Sequence, residues 1–312
     1  MNIDFLVPFF DAKDVLNAER LAGGRNNHAI KVETKTGIYV LKRYLNEVDR
    51  NERFDREVSF LKHCYKVGVK AVPILLDQDR KSYSILQQYV KGLRPKSLTT
   101  FHFNAASHFI AEINQNLTEE IESLPRAADS FVTGTDVVDN LKARFESLGD
   151  AKIASALQPK TYANFVKVFS ELVSAGSPTN SALIKHLNEL SQISSRIFLS
   201  PSDFGFHNCI ESKDGLTFID FEYSGIDSPL KLILDFIYQP DFYITRDYAH
   251  LFSDEIGKPY GLKYVEIPRE VRLAFALKWF LMVVKRVFDL PQTKVDSGHA
   301  EYYFATRLKP LI

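Results

Sequence analysis

Three polar residues near the middle of the chain have types and spacing that could support phosphate chemistry. Asp203 and Asn208 lie five positions apart, and Asp220 follows after a short apolar segment. The segment 200–208 contains Pro, Ser, Asp and Gly, which favour a loop over a strand. Carboxylate and amide oxygens suit Mg²⁺, and a carboxylate can accept a proton from a reacting hydroxyl. The set is therefore suited to activating a hydroxyl beside Mg²⁺.

The segment 216–220 is predicted to be a short apolar strand that ends in a carboxylate. Strand alternation predicts that Leu216, Phe218 and Asp220 share one face. A carboxylate on an apolar face is costly unless a positive group lies against it. We therefore expect a cation beside Asp220.

Lys42 is a candidate for such a buried cation. It ends an apolar segment in which Ile38, Val40 and Lys42 alternate onto one predicted strand face. The alternative is a lysine at a strand end that extends its ammonium group into solvent.

The next segment, 49–66, is predicted to be a helix with a glutamate at its buried face. Glu57 lies three residues after one apolar position and four before another, beside the stripe. A buried lysine followed by a buried glutamate favours an ion pair, so we predict that Lys42 pairs with Glu57. The predicted stripe consists of Phe54, Val58, Leu61 and Tyr65.

The spacing Asp203-x4-Asn208, followed by a hydrophobic strand ending in Asp220, resembles the catalytic core of the protein-kinase-like phosphotransferases. Within them it is most similar to the aminoglycoside phosphotransferase and choline kinase-like family. That family's usual loop reads His-Gly-Asp-x4-Asn, followed by Ile-Asp-[Trp/Phe]-Glu. Here Pro201 and Ser202 occupy the His and Gly positions. Because the family His supports the loop, this departure concerns loop geometry more than reaction type.

The resemblance implies a role for each matching residue. Asp203 would accept the proton of the acceptor hydroxyl, and Asn208 with Asp220 would hold Mg²⁺. Lys42, held by Glu57, would bind the α- and β-phosphates of ATP. All of these residues occur in the family's order along the chain.

Three further residues receive supporting roles. The resemblance implies that Asp235 braces the catalytic loop and that Glu222 helps to hold the metal region. We expect His207, the residue before Asn208, to orient the site or to lie at the surface, with a general-base role as the alternative.

The resemblance also implies where the rest of the nucleotide binds. Glycine allows backbone N–H groups to approach a phosphate closely. The resemblance therefore implies a glycine-containing phosphate loop near residue 23, the first segment. It also implies that the main chain of Gln88 and Val90, in a second segment, would bind adenine. The alternatives are an ordinary hairpin turn at the first segment and an edge strand with its exit turn at the second. The candidate phosphate-loop residues are Gly23, Gly24, Asn26 and Asn27.

The pattern along the chain predicts an α+β protein. Before residue 90 it indicates five short antiparallel strands and one helix, and after residue 93 the apolar periodicity becomes helical. The resemblance implies a bilobal protein-kinase-like fold. We expect a small five-stranded N-terminal nucleotide-binding lobe at 1–90 and a larger, mainly helical catalytic and acceptor-binding lobe at 91–312.

Composition limits the partners and the location. The 312 residues carry a formal net charge of zero, and no basic run with interleaved aromatic residues suggests a nucleic-acid partner. The two cysteines have neither metal-ligand spacing nor a disulfide framework. No segment reads as a signal peptide or a membrane span, so we expect a cytoplasmic protein without a membrane partner. The sequence does not indicate an oligomeric state.

The predicted function is ATP-dependent, Mg²⁺-dependent transfer of the γ-phosphate to a hydroxyl of a small acceptor. The preferred acceptor is a sugar or a precursor of a surface polysaccharide. Aminoglycoside, choline and homoserine are the alternative acceptors. Protein phosphorylation is disfavoured because no activation segment separates Asp220 from the following helix. The alternative from a different class is a non-catalytic nucleotide-binding pseudokinase or scaffold, which Pro201 favours.

Overall fold

The computed structural model describes residues 8–21, 27–117, 121, 124–193, 197–289 and 296–312. The chain divides into two compact units. Met1–Ala128 and Leu199–Ile226 form the first unit, and Asp129–Phe198 and Asp227–Ile312 form the second. The division into lobes at residue 90 stays a prediction.

An antiparallel sheet occupies the N-terminal part of the first unit. Its strand order is β1-β2-β3-β5-β4, and each neighbouring pair is antiparallel. The predicted five-stranded sheet is confirmed, although β4 begins three residues later than the apolar segment 72–76 suggested. The strands are β1 (Val15–Arg20), β2 (Asn27–Thr34), β3 (Ile38–Tyr44), β4 (Leu75–Asp79) and β5 (Ser84–Gln88).

Helix α1 (Arg50–Lys66) carries the predicted buried stripe, with one exception. Phe54, Val58 and Leu61 are buried, and Glu57 is fully buried beside them. Tyr65 is 82% exposed, so the stripe does not extend into the last turn of the helix. α1 contacts β3, β4 and β5. The helix therefore presents a carboxylate towards the sheet.

Among its described residues, the remainder of the first unit includes one long helix and two small two-stranded sheets. Helix α2 is Thr100–Gln115. Strand β6 (Leu199–Ser200) pairs with β9 (Gly225–Ile226), and β7 (Cys209–Ser212) pairs with β8 (Gly215–Phe218).

A cluster of phenylalanines anchors the loops that carry the polar residues. Phe221 stacks on Phe60 of α1 at 4.4 Å between ring centroids, and Phe218 stacks on Phe109 of α2 at 4.7 Å. Phe204 lies 4.9 Å from Phe218. Phe204 directly follows Asp203, and Phe221 directly follows Asp220. Packing of these rings therefore fixes the backbone beside both carboxylates.

The second unit is helical. Within the described residues it contains a central helix, α9, that packs on α3, α6, α7 and α10. A π-helical turn, Phe304–Leu308, follows the last helix. In the described part of the chain, no helix combines the length and apolar character needed to cross a membrane. The helices are α3 (Gly134–Leu148), α4 (Asp150–Ser155), α5 (Pro159–Val173), α6 (Pro178–Ile193), α7 (Pro229–Tyr238), α8 (Arg246–Gly257), α9 (Arg269–Asp289) and α10 (Ser297–Tyr303).

Asp235 belongs to a buried charge network of the second unit. Its carboxylate accepts hydrogen bonds from Lys278 and from the indole N–H of Trp279, and it lies 3.2 Å from the ammonium of Lys231. Lys231 also pairs with Asp227 at 3.0 Å. The two lysines and the indole bind the carboxylate of Asp235, and the bracing role predicted for this residue stays a prediction. A buried carboxylate on α7 is stable because two lysines lie within reach.

Candidate active site

The first unit brings Lys42, Glu57 and Asp220 together around one ammonium group. Nζ of Lys42 lies 2.6 and 2.9 Å from the two carboxylate oxygens of Glu57 and 2.7 Å from Oδ1 of Asp220. Lys42 is only 6% exposed, and Glu57 is fully buried. The ion pair predicted from strand alternation and the helical stripe is present, and the cation expected beside Asp220 is Lys42.

Two residues that the sequence analysis missed complete the surroundings of Glu57. The hydroxyl of Tyr44 donates to Oε2, and the side-chain amide of Gln87 donates to Oε1 at 3.1 Å. Tyr44 lies two positions after Lys42 on β3, so strand alternation would have placed it on the same face. Gln87 on β5 carries no comparable signal. These donors fix the orientation of the carboxylate that holds Lys42.

The charge state of Lys42 follows from its two partners. Burial by itself would lower the pKa of the ammonium, but the negative charges of Asp220 and Glu57 outweigh it. The pKa of Lys42 is therefore raised above its ordinary value, and the side chain stays protonated at neutral pH.

Asp220 does not lie on a strand face as predicted. Strand β8 ends at Phe218, and Asp220 has φ +71° in the left-handed region. A non-glycine residue in this region is strained and is found where the surrounding structure holds it. Here the ion pair with Lys42 and the packing of the adjacent Phe221 stabilise the left-handed conformation of Asp220.

Hydrogen bonds within the loop join Asn208 to Asp203. The amide Nδ2 of Asn208 donates to the backbone carbonyl of Asp203 at 3.0 Å and lies 3.4 Å from Asp203 Oδ2. The backbone carbonyl of Asn208 accepts from the N–H of Ile219 at 2.9 Å. The loop is thereby joined to the residue that precedes Asp220.

His207 contacts the proposed base. Its Nε2 lies 3.1 Å from Oδ1 of Asp203. The sequence analysis expected His207 either to orient the site or to lie at the surface. Its side chain is only 16% exposed and contacts Asp203, which supports the orienting role.

Ser202, which occupies the family's Gly position, has a backbone conformation that favours glycine. Its φ is +66°, a left-handed value that costs an L-residue energy and glycine very little. The hydroxyl of Ser202 donates to the carbonyl of Ala128 at 3.1 Å, and its N–H donates to Oγ of Ser200 at 3.0 Å. These two bonds offset part of the energetic cost of the left-handed backbone at Ser202.

Glu222 braces the site through partners from the N-terminal half of the first unit. It accepts from Arg53 Nη1 and from Asn27 Nδ2, both at 2.9 Å. Arg53 also donates to the hydroxyl of Tyr223 at 2.7 Å. Burial raises the pKa of Glu222, the charge of Asp220 adds to this, and Lys42 opposes it. The sequence analysis missed Arg53 because Glu222, its acidic partner at the site, lies 169 residues away.

The predicted nucleotide-binding residues fall into three groups. Asn27 is buried beside Glu222, while Gly23, Gly24 and Asn26 lie outside the described residues. The N–H of Gln88 donates to the carbonyl of Ile74 at 2.9 Å, so this N–H is already engaged within the first unit. The binding roles of all these residues and of Val90 stay predictions.

The donor set suits a hard cation. Asp220 offers carboxylate oxygens, and Asn208 has Oδ1 as its second amide atom because Nδ2 points to Asp203. In the described part of the chain, no three His, Cys, Asp or Glu side chains cluster as a self-sufficient metal site. Mg²⁺ commonly takes one or two protein ligands together with water and substrate phosphates, so these two residues fit it.

Comparison with known proteins identifies the family. A model of the phosphotransferase enzyme family, APH, matches residues 17–231, which is more than half of the chain. The chain belongs to this family. The predicted class, an ATP-dependent phosphotransferase similar to the aminoglycoside phosphotransferases and choline kinases, is thus confirmed. Comparison with curated protein sequences gave no match.

Solved structures share the fold of this phosphotransferase. Choline kinase LicA from Streptococcus pneumoniae is 17% identical with a TM-score of 0.62, over 99% of this chain and 96% of that chain. An ethanolamine kinase from Plasmodium vivax is 13% identical with a TM-score of 0.58, over 99% and 85%. A spectinomycin phosphotransferase in complex with ADP and spectinomycin is 14% identical with a TM-score of 0.54, over 95% and 94%. These similarities confirm the predicted kinase-like fold.

Proposed function

We propose that this phosphotransferase moves the γ-phosphoryl group of ATP to a hydroxyl of a small acceptor in a Mg²⁺-dependent reaction. The observation that carries the proposal is the buried ammonium of Lys42, which contacts both Glu57 and Asp220. A cation held between a fixed glutamate and a second carboxylate is suited to receiving a phosphate.

Each residue takes one role in the proposed reaction. Glu57 holds Lys42, whose ammonium neutralises phosphate oxygens of ATP. The phosphate then replaces Asp220 as the second anion at Lys42, which releases Asp220 for the metal. Asp203 orients the acceptor hydroxyl and accepts its proton as the phosphoryl group is transferred. Positioning and charge neutralisation supply most of the rate enhancement.

Asp220 and Asn208 would hold Mg²⁺ through their side-chain oxygens. The ion, when bound, supplies positive charge that offsets the negative charge of the transferring phosphoryl group. The bond from Ile219 to the carbonyl of Asn208 keeps the two ligands on connected loops. The left-handed conformation of Asp220 further restricts where its carboxylate can lie.

A sugar or a precursor of a surface polysaccharide is the acceptor we propose. A polycationic aminoglycoside would need carboxylates without cationic partners. The carboxylates of Asp227 and Asp235 are buried and paired with lysines, so these two residues offer no free carboxylate to such an acceptor. Because the proposed reaction consumes ATP, we also propose a cytoplasmic location.

Calorimetric titration with ATP, with and without Mg²⁺, tests the proposed site. Wild type should bind ATP more tightly with Mg²⁺, and Asp220→Asn should lose most of that difference. The matched control is Asp77→Asn, an exposed residue of β4 in the same unit. Binding without any dependence on metal would contradict the proposal and support a non-catalytic nucleotide-binding protein.

A panel of acceptors tests the second half of the proposal. Coupled detection of ADP should show turnover with a sugar and little with aminoglycosides, choline or homoserine. Turnover confined to choline or an aminoglycoside would overturn the proposed sugar class but leave the ATP site intact. Hydrolysis of ATP without any acceptor dependence would argue against transfer itself.

A further inference from the structure

The second unit contains a cavity that has no part in the proposed phosphoryl transfer. Its volume is about 400 Å³, within the range of small-molecule sites. Its lining combines basic and aromatic side chains from the end of α9, from α10 and from the loop after α7. The residues used below are Asp241, Tyr243, Arg286, His299, Tyr302 and Arg307.

Arg307 is the unusual member of this lining. The residue is only 7% exposed, and its guanidinium stacks over the ring of Tyr243 at 4.4 Å from the ring centroid. Its Nη2 donates to the carbonyl of Phe242 at 2.6 Å, and its Nη1 donates to the carbonyl of Ile244 at 3.3 Å. Both acceptors are neutral. Within the residues that the structure describes, Arg307 forms no ion pair with Asp or Glu.

A buried guanidinium without a carboxylate is expensive. A buried charge is stable when an opposite charge compensates it, and two neutral carbonyls supply only part of that compensation. The guanidinium has five N–H donors, and these two bonds occupy two of them. Burial also lowers the pKa of Arg307, and the nearby tyrosines oppose this only in part. The position therefore favours an anion.

The other cations of the cavity differ from Arg307 because they already have acidic neighbours. Arg286 lies 3.4 Å from Asp241, and both side chains are about one-third exposed. His299 lies 2.9 Å from Asp296. Among the described residues that line the cavity, the acidic side chain of Asp241 faces an excess of positive charge from two arginines. A negatively charged ligand would compensate the excess positive charge of Arg307 and Arg286.

We propose that this cavity binds a small organic anion bearing a phosphate or carboxylate group. Arg307 and Arg286 hold the anionic group, since a guanidinium matches both groups through paired N–H donors. A volume of about 400 Å³ exceeds the need of an inorganic ion. The half-exposed rings of Tyr243 and Tyr302 offer flat surfaces to the organic part. The site uses none of the residues of the proposed phosphoryl transfer, so each proposal can be tested independently of the other.

Binding by the full chain can be measured with three defined probes. Inorganic phosphate, glycerol 3-phosphate and citrate are titrated calorimetrically at an ionic strength held constant with chloride. At least one organic anion should bind saturably to wild type and more tightly than inorganic phosphate. A preference for glycerol 3-phosphate would identify the ligand group as phosphate, and a preference for citrate would identify it as carboxylate.

Variants assign the binding to this cavity. The side chain of Arg286 is partly exposed, so Arg286→Gln is expected to fold. Arg307→Lys keeps the buried positive charge but loses the paired N–H donors of the guanidinium. Each should weaken binding by about tenfold or more, because a hydrogen bond to a charged group is lost. The exposed Arg246→Gln on α8, with the same change in charge, should bind like wild type.

Two results would overturn the proposal. One is the absence of anion binding to wild type above the chloride background. The other is equal binding by wild type and Arg286→Gln together with a loss in Lys42→Met, which would assign the anion to the nucleotide site. Melting temperatures measured for every variant separate weak binding from loss of the folded structure.

Discussion

Nζ of Lys42 lies 2.7 Å from Oδ1 of Asp220, although the two residues are 178 positions apart in the sequence. The same ammonium contacts Glu57 on α1. One buried cation therefore links the central strand of the sheet, the helix beside it and the loop after β8. Loss of either carboxylate should affect both the stability of the first unit and the binding of nucleotide.

Replacing Glu57 with Gln tests the contribution of the buried pair. The variant should lose about 3 kcal/mol of unfolding free energy, at the low end for breaking a buried ion pair, because Asp220 still neutralises Lys42. Its affinity for ATP should fall as Lys42 loses its fixed position. Urea denaturation and calorimetry measure the two effects. Glu52→Gln, on the exposed face of the same helix, is the control. An unchanged urea midpoint would contradict the prediction.

Replacing Asp203 with Asn tests the proposed proton acceptor. The amide cannot take the proton, so kcat should fall by roughly 10² to 10⁴-fold, while affinity for ATP stays near that of wild type. Initial rates with the best acceptor and a separate ATP titration give the two quantities. Asp214→Asn, in the exposed turn between β7 and β8, should retain wild-type turnover. Full turnover by Asp203→Asn would show that another group accepts the proton.

The left-handed conformation of Ser202 predicts an order of stability. Ser202→Ala loses the bond to Ala128 and keeps the unfavourable φ, whereas Ser202→Gly loses the bond but relieves φ. Ser202→Gly should therefore be more stable than Ser202→Ala by about 1 to 2 kcal/mol. Urea denaturation of both variants gives the difference.

The matched control uses an ordinary helical serine. At Ser170, an exposed residue of α5, Gly should instead be less stable than Ala by about 1 kcal/mol. The same order at both positions would mean that the conformation of Ser202 does not determine its stability.

His63 predicts a loss of stability in mild acid. Its ring is buried with Nε2 2.8 Å from the carbonyl of Ile113, and burial lowers its pKa below the ordinary value of 6.5. As pH falls through 6.5, the unfolded chain binds a proton that the folded protein resists, so folded stability decreases until the folded pKa is reached.

The measurement compares unfolding free energies at about pH 7.5 and about pH 5.5. Wild type should lose more stability over this interval than His63→Gln, which cannot titrate. His108→Gln, whose side chain is 71% exposed, should follow the wild-type curve. Identical pH dependence for wild type and His63→Gln would refute the assignment.

The order and spacing of local features were sufficient to predict much of this protein. Period-two alternation along β3 and the helical stripe of α1 placed Lys42 and Glu57 on facing surfaces, because both periods are set by local backbone geometry. The short loop between Asp203 and Asn208 keeps these residues close whatever surrounds them. Family membership and the five-stranded sheet followed from such patterns.

Other features depended on contacts that have no sequence period. The end of β8 before Asp220, and the left-handed backbone of Asp220 itself, result from the packing of Phe221 and the pair with Lys42. The bond between Arg53 and Glu222 joins residues 169 positions apart. Burial of Arg307 without an acidic partner likewise appears only when separate elements pack together. Sequence determined which chemical groups are available, and the tertiary structure decided their neighbours, because burial and long-range pairing depend on the whole packed chain.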